Sequence, residues 1–177
     1  MLNNSHKSNR YNQIHGGVEK ISEMQGDYFD IVFCHNVFEY IEDKEPIFAE
    51  LIRMLKQGGT LSLVKHNRRG KVFQSAVFAN DPKKALELLD EHANNKDNYL
   101  GTQYLYSNND VEEWASKHGA KLQRILGMRT FWALGQDNSV KFSNEWYRNM
   151  LELERKASNM EEYRRVAFFN HLLLKKN

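Results

Sequence analysis

The stretch from Phe29 to Val64 constrains the fold more than any other part of the chain. Phe29-Asp-Ile-Val-Phe-Cys-His35 is a short β-branched and aromatic run preceded by Gly26 and Asp27, the pattern of a buried strand. Ile47, Phe48, Leu51, Ile52 and Leu55 then recur at i, i+1, i+4, i+5 and i+8, which places them on one apolar stripe of a helix. Asp43 is the expected N-cap, and Pro46 is tolerated in the first turn because its missing N–H has no helical partner there. Arg53 and Lys56 suit the negative C-terminal end, and Gly58-Gly59 is expected to stop the helix by turning left-handed. Thr60 to Val64 reads as a second buried strand. Strand, helix and strand in this order close as a right-handed crossover between parallel strands.

Downstream, Pro82 to His92 is predicted helical. Ser107, with Asp110 three residues on, opens another helix that carries Val111, Trp114 and Ala115 and stops at Gly119. Lys121 to Phe131 reads as extended, Asn144 to Lys156 as helix, and Ala167 to Leu174 as a closing strand. The result is an α/β chain whose last strands can pair antiparallel. Its 177 residues, 41% of them hydrophobic, suit a single domain over 13–177 behind a polar, poorly ordered N-terminus at 1–12. A net charge of +2 excludes a globally basic nucleic-acid binder, so any basic patch is local. The lone Cys34 cannot form an internal disulfide, which suits a reducing compartment and makes a cytoplasmic location the expectation. Apolar runs are too short for a membrane span, and no membrane partner is expected. No metal is expected either, because His35 has no second ligand type at chelating spacing.

Phe29 to Asp43 followed by Ala49 to Val64 resembles the region from the fourth to the fifth strand of class I S-adenosylmethionine-dependent methyltransferases. The shared features are Phe-Asp before an apolar run, His35-x-Val37-x-Glu39-Tyr40, and Leu51-x-x-Met54-Leu55-Lys56-x-Gly58-Gly59. His66-Asn67-Arg68-Arg69-Gly70-Lys71, Gly127-Met128-Arg129-Thr130-Phe131, Leu151-Glu152-Leu153-Glu154 and the closing strand resemble the tRNA 5-carboxymethoxyuridine methyltransferase family. In that family a methyl group passes from S-adenosylmethionine to the carboxylate of a modified wobble uridine. The resemblance implies S-adenosylmethionine as cofactor, tRNA as partner, and a Rossmann-like sheet, mostly parallel with an antiparallel C-terminal strand pair. Cofactor in such sheets lies across the C-terminal strand edges. The glycine-rich turn and the acidic residue of the first two strands should precede Ile14, where only thirteen residues stand, and no G-x-G-x-G occurs. The expectation is therefore a partial fold lacking the first strands, with a strand edge at Ile31 to Cys34 left open to self-association.

The same resemblance assigns the site. Val18 and Glu19, in Gly16-Gly17-Val18-Glu19, match the loop that frames adenine, although Gly-Gly is also an ordinary turn. His35 matches the residue beside the methionine part of the cofactor, the alternative being a strand-end histidine that only packs. Arg129, Asn67 and Arg69 are the expected substrate-binding residues, Arg129 because a guanidinium holds a carboxylate bidentately. Lys65, His66, Arg68, Arg69 and Lys71 form a basic cluster that reads as a phosphate-tracking or merely solvated loop. Tyr104, Tyr106, Phe131 and Trp132 can stack a splayed base or fill core. No catalytic residue is expected: a carboxylate acceptor is already anionic at neutral pH, and Glu39 is read as orienting a loop. The rival readings are a small-molecule methyltransferase and a non-catalytic interaction module.

Overall fold

The computed structural model describes residues 12–90 and 102–177. The expectations for the first eleven residues and for the end of the Pro82 to His92 helix lie outside that range. Eleven helices and strands follow one another: α1 (Glu19–Ser22), β1 (Phe29–His35), α2 (Glu45–Met54), β2 (Leu55–His66), α3 (Arg68–Phe73), α4 (Pro82–Leu89), α5 (Asn108–Lys117), β3 (Ala120–Met128), α6 (Asn144–Ala157), α7 (Glu161–Arg164) and β4 (Phe169–Lys176). The four strands form one sheet in the order β1-β2-β4-β3. β1 and β2 pair in parallel, as the crossover requires, while β4 inserts antiparallel between β2 and β3. Three strands thus point one way and β4 runs against them.

The core follows from the period of two along each strand. Val32 lies beside Leu61 and Cys34 beside Leu63; Leu61 and Leu63 face Leu174 and Leu172, which continue to Leu122 and Ile125. That row packs under Phe48, Leu51 and Ile52 of α2 and Val111 and Ala115 of α5. The opposite face of β1 is open: Ile31 is 53% and Phe33 68% exposed, and β1 is an edge strand among the described residues.

Three local expectations need correction. Asp43 does not cap α2; Lys44 holds that position without a side-chain bond. Gly58-Gly59 does not end the helix, because pairing of Leu55 with Phe29 turns the chain extended at once. Between Phe29↔Leu55 and Ile31↔Thr60 the ladder breaks, and Gly58, at φ +72°, lets the extra β2 residues loop out. The basic segment after β2 is not a loop. Asn67 accepts from the Arg69 N–H and starts α3, which runs on as a π turn through Phe78. Gly70 permits this because a Cβ there would lie 2.1 Å from the Ala167 carbonyl oxygen. The capping box is as expected: Ser107 Oγ and Asp110 exchange bonds across the first turn of α5, and Gly119 follows at φ +71°.

Candidate active site at the C-terminal edge of the sheet

The C-terminal ends of β1, β2 and β3 meet the start of β4, and polar side chains concentrate there. Asn36, left-handed at φ +54°, turns the chain out of β1 while its N–H donates to the Val64 carbonyl. The turn delivers Glu39 into full burial, where Oε1 accepts from the His66 backbone N–H at 2.6 Å. Glu39 Oε2 is buried without a hydrogen-bond partner. This one carboxylate faces several cations. Lys65 is 2% exposed and donates to the Tyr106 carbonyl at 2.6 Å, its ammonium lying over the Tyr106 ring. Lys71 donates to Gln103 Oε1, and Gln103 Nε2 donates to the Tyr40 hydroxyl at 2.9 Å. Burial pushes both lysines down to about 8, against the pull of Glu39.

His66, at the end of β2, packs its ring on Phe168 and Phe169 with centroids 5.2 and 4.7 Å away. Burial first, and then Lys71, Lys65 and Arg129, hold it neutral by lowering it to about 3. Arg129 follows β3 in the left-handed region at φ +57° and carries its guanidinium over the same two rings, 5.6 and 5.8 Å from their centroids. Among the described residues no carboxylate stands within ion-pair distance of it. The turn beyond is fixed from α6: Glu154 Oε1 accepts from the Phe131 and Trp132 N–H groups at 2.9 and 2.8 Å, and Oε2 from Thr130 N–H at 3.0 Å.

The expected site residues are only partly brought together. His35 is at this edge; its Nε2 and that of His171 share the Ser62 hydroxyl at 2.9 and 2.8 Å. Arg129 is at the edge too. Asn67 stands there but is spent on structure, since Nδ2 donates to the Arg165 and Ala167 carbonyls and Oδ1 caps α3. Arg69 is exposed on α3. Val18 and Glu19 lie elsewhere: Arg53 Nη2 ties the Ile21 and Met24 carbonyls to the C-terminal end of α2, which adjoins the start of β1. The Glu19 carboxylate is occupied by the Gly17 N–H, which lowers it. Tyr106 and Trp114 pack with Phe38 in the core, whereas Trp132 joins Trp146 and Tyr147 beside α6. Among the described residues there is no cluster of three or more metal-ligating side chains and no helix long and apolar enough to cross a membrane. Lys65, Lys71 and Glu154 were not singled out as individual site residues, because lysine and glutamate in a sequence read as solvated.

Solved structures with this arrangement decide the fold. An S-adenosylmethionine dependent methyltransferase from Mesorhizobium loti superposes with a TM-score of 0.51 at 13% identity, over 88% of this chain and 66% of that one. A protein from Listeria monocytogenes described in the same words gives 0.52 at 13%, over 89% and 66%. The chain has a methyltransferase fold. The family model "Methyltransferase domain" matches residues 1–63 of it. In sequence it is 23% identical over 170 residues to the tRNA 5-carboxymethoxyuridine methyltransferase of Escherichia coli O157:H7, covering 92% of this chain and 60% of that protein. It is 22% identical over 130 residues to the ubiquinone biosynthesis O-methyltransferase of Dechloromonas aromatica, covering 71% and 53%. The chain thus spans about 60% of the length of the first of these relatives.

Proposed function

We propose that this chain serves an S-adenosylmethionine-dependent methyltransferase and that its part of the site binds an anionic methyl acceptor, a carboxylate on a modified tRNA wobble uridine. The observation that carries the reading is the charge imbalance at the C-terminal sheet edge. Glu39 is the buried carboxylate that acts on both Lys65 and Lys71, and the Arg129 guanidinium lies exposed over Phe168 and Phe169 at the same edge, so the edge offers cationic groups without a matching number of anions. The 23% relative, whose name specifies a carboxymethoxyuridine, supports the acceptor chemistry.

Of the residues expected to hold the cofactor, His35 fits. It is exposed at the end of β1, where the left-handed Asn36 turns the chain out of the strand. Val18 and Glu19, tied to the opposite end of β1, do not converge with it. When bound, S-adenosylmethionine supplies an electrophilic methyl group. What the chain's own residues contribute is binding and orientation. A carboxylate is ionised at neutral pH and needs no base, so Arg129 can hold it bidentately while the packed aromatic floor of Phe168 and Phe169 excludes water. Glu39 orients the start of the loop after β2 through the His66 N–H and carries no proton to the acceptor.

The test is incubation with methyl-labelled S-adenosylmethionine and tRNA bearing 5-carboxymethoxyuridine. The expected product is label on tRNA that mild alkali releases, as it does a methyl ester. Label that resists alkali, or none, overturns the carboxylate assignment.

A further inference from the structure

A cleft lies between α6 and the turn after β3; it shares Arg129 and the Glu154-held turn with the strand-end cluster described above and extends from them along α6. It has a volume of about 490 Å³ and is walled mainly by apolar atoms, those of Met128, Trp132, Tyr147, Met150 and Leu151 among them, with Arg129, Glu154 and Arg155 as its charged residues. Tyr147 is 49% and Leu151 56% exposed, so these large apolar groups face a concavity open to solvent.

One wall is built rigidly. Gly127 must be glycine, because a Cβ would lie 2.9 Å from Arg164 Cα and from Ala167 Cβ. Arg129 is held left-handed, and the three N–H groups after it close on Glu154 of the facing helix. Glu154 is the acidic group of the lining and is engaged by these amides, and Arg155, the second guanidinium there, is paired with Glu152 at 2.8 Å, which leaves the guanidinium of Arg129 as the charge the cleft can offer to a ligand. A backbone strained at one arginine and over-determined around it is a feature found at binding sites.

We infer that this cleft binds a planar ring bearing one anionic substituent, the ring lying against Trp132, Tyr147 and the two methionines and the anion reaching Arg129. Aromatic and thioether walls favour a flat polarisable ring, and a guanidinium without an ion-pair partner among the described residues selects for an anion over a neutral or cationic group. Binding here stands apart from methyl transfer; that the bound ring is the acceptor rests on the transferase reading above.

Methionine methyl groups report the binding directly. The chain has six methionines, and of the five among the described residues Met128 and Met150 line the cleft, whereas Met54 belongs to the core and Met24 packs against it. With 13C-methyl methionine in the full chain, titration with 2-naphthoate should shift the Met128 and Met150 signals saturably and leave Met54 still. 2-Naphthylmethylammonium should bind at least about tenfold more weakly, and Arg129→Gln should remove that preference while leaving 2-naphthol binding intact. Leu151→Glu should weaken all three. A uridine 5-oxyacetic acid nucleoside bound more tightly than naphthoate assigns a nucleic-acid source to the ligand; the reverse assigns a free aromatic acid. No shift at Met128 and Met150, an equal shift at Met54, or equal affinity for anion and cation overturns the inference. These outcomes are read without any methyl transfer, so failure here and failure of the transferase reading are separate results.

Discussion

Glu154→Ala tests whether the turn after β3 is pre-organised by a single side chain. Three backbone N–H groups, those of Thr130, Phe131 and Trp132, converge on this carboxylate at 2.8 to 3.0 Å. A hydrogen bond to a charged acceptor contributes about 1.5–3 kcal/mol where water cannot replace it. Thr130 is buried, but Phe131, Trp132 and Glu154 are half-buried, so water recovers much of the loss at two of the three bonds. That leaves a cost of about 3 kcal/mol, which for a chain of this size lowers Tm by roughly 6–12 °C. Glu154→Gln retains one carbonyl oxygen for Phe131 and Trp132 but turns an amide toward Thr130, and should cost about half as much. Urea unfolding measures the stability, and amide hydrogen exchange locates it: the 130–132 amides should exchange faster in both variants while those of the β2–β4 ladder keep their rank. A loss under about 0.5 kcal/mol with unchanged exchange at 130–132 would refute the claim that Glu154 holds the turn.

Gly70→Ala should destabilise by more than about 3 kcal/mol, because the new methyl meets the Ala167 carbonyl at 2.1 Å, whereas Gly119→Ala, with nothing within 4 Å of its Cβ, should cost only the ~1–2 kcal/mol of a left-handed residue; equal costs in urea titrations refute the close-packing argument. His66, ordinarily near 6.5 and held at about 3 in the fold, stays neutral there, so its contribution is complete above pH 6.5 and is lost as pH falls toward 3; His66→Phe should flatten the acid limb of a stability profile. Lys65, ordinarily at 10.5 and held at about 8, binds its proton less well folded than unfolded, so stability should rise between pH 8 and 10.5, and Lys65→Met should remove that rise. The open edge and face of β1 should make the chain self-associate with concentration, and Phe33→Asp should suppress this; a wild-type monomer at every concentration in sedimentation runs refutes it.

The strands, the crossover and the capping box were legible because each is written in local periodicity or in a three-residue motif. The stop of α2 was not. Gly58-Gly59 looks like a helix end, yet strand pairing between Leu55 and Phe29 claimed the chain four residues earlier, and the glycines serve a break in the ladder instead. The segment after β2 was misread for the opposite reason. Its charge suggested a loop, but Asn67 caps it and Gly70 lets it pack on the 167–168 backbone, a contact about a hundred residues away that no local pattern encodes.

The site divides along the same line. That His35 ends a strand and Arg129 follows one was readable, because a strand end is local information. The burial of Lys65 and Lys71 is not local, since it depends on Tyr106 and Gln103 folding back over the sheet edge. That burial is also what gives the edge its character. A buried ammonium beside a matching number of carboxylates would be neutralised and would serve stability alone. Here Glu39 is the acid that acts on both lysines and burial outweighs its pull, so each gives up part of its hold on a proton and the shortfall of negative charge remains. An anionic acceptor that comes within reach of these ammonium groups would supply the missing charge, raise both lysines toward their ordinary range and be held by the same imbalance that costs the fold stability. On this argument the destabilising lysines and acceptor binding are one property, and Lys65→Met should make the chain more stable and a weaker binder of acceptor at once.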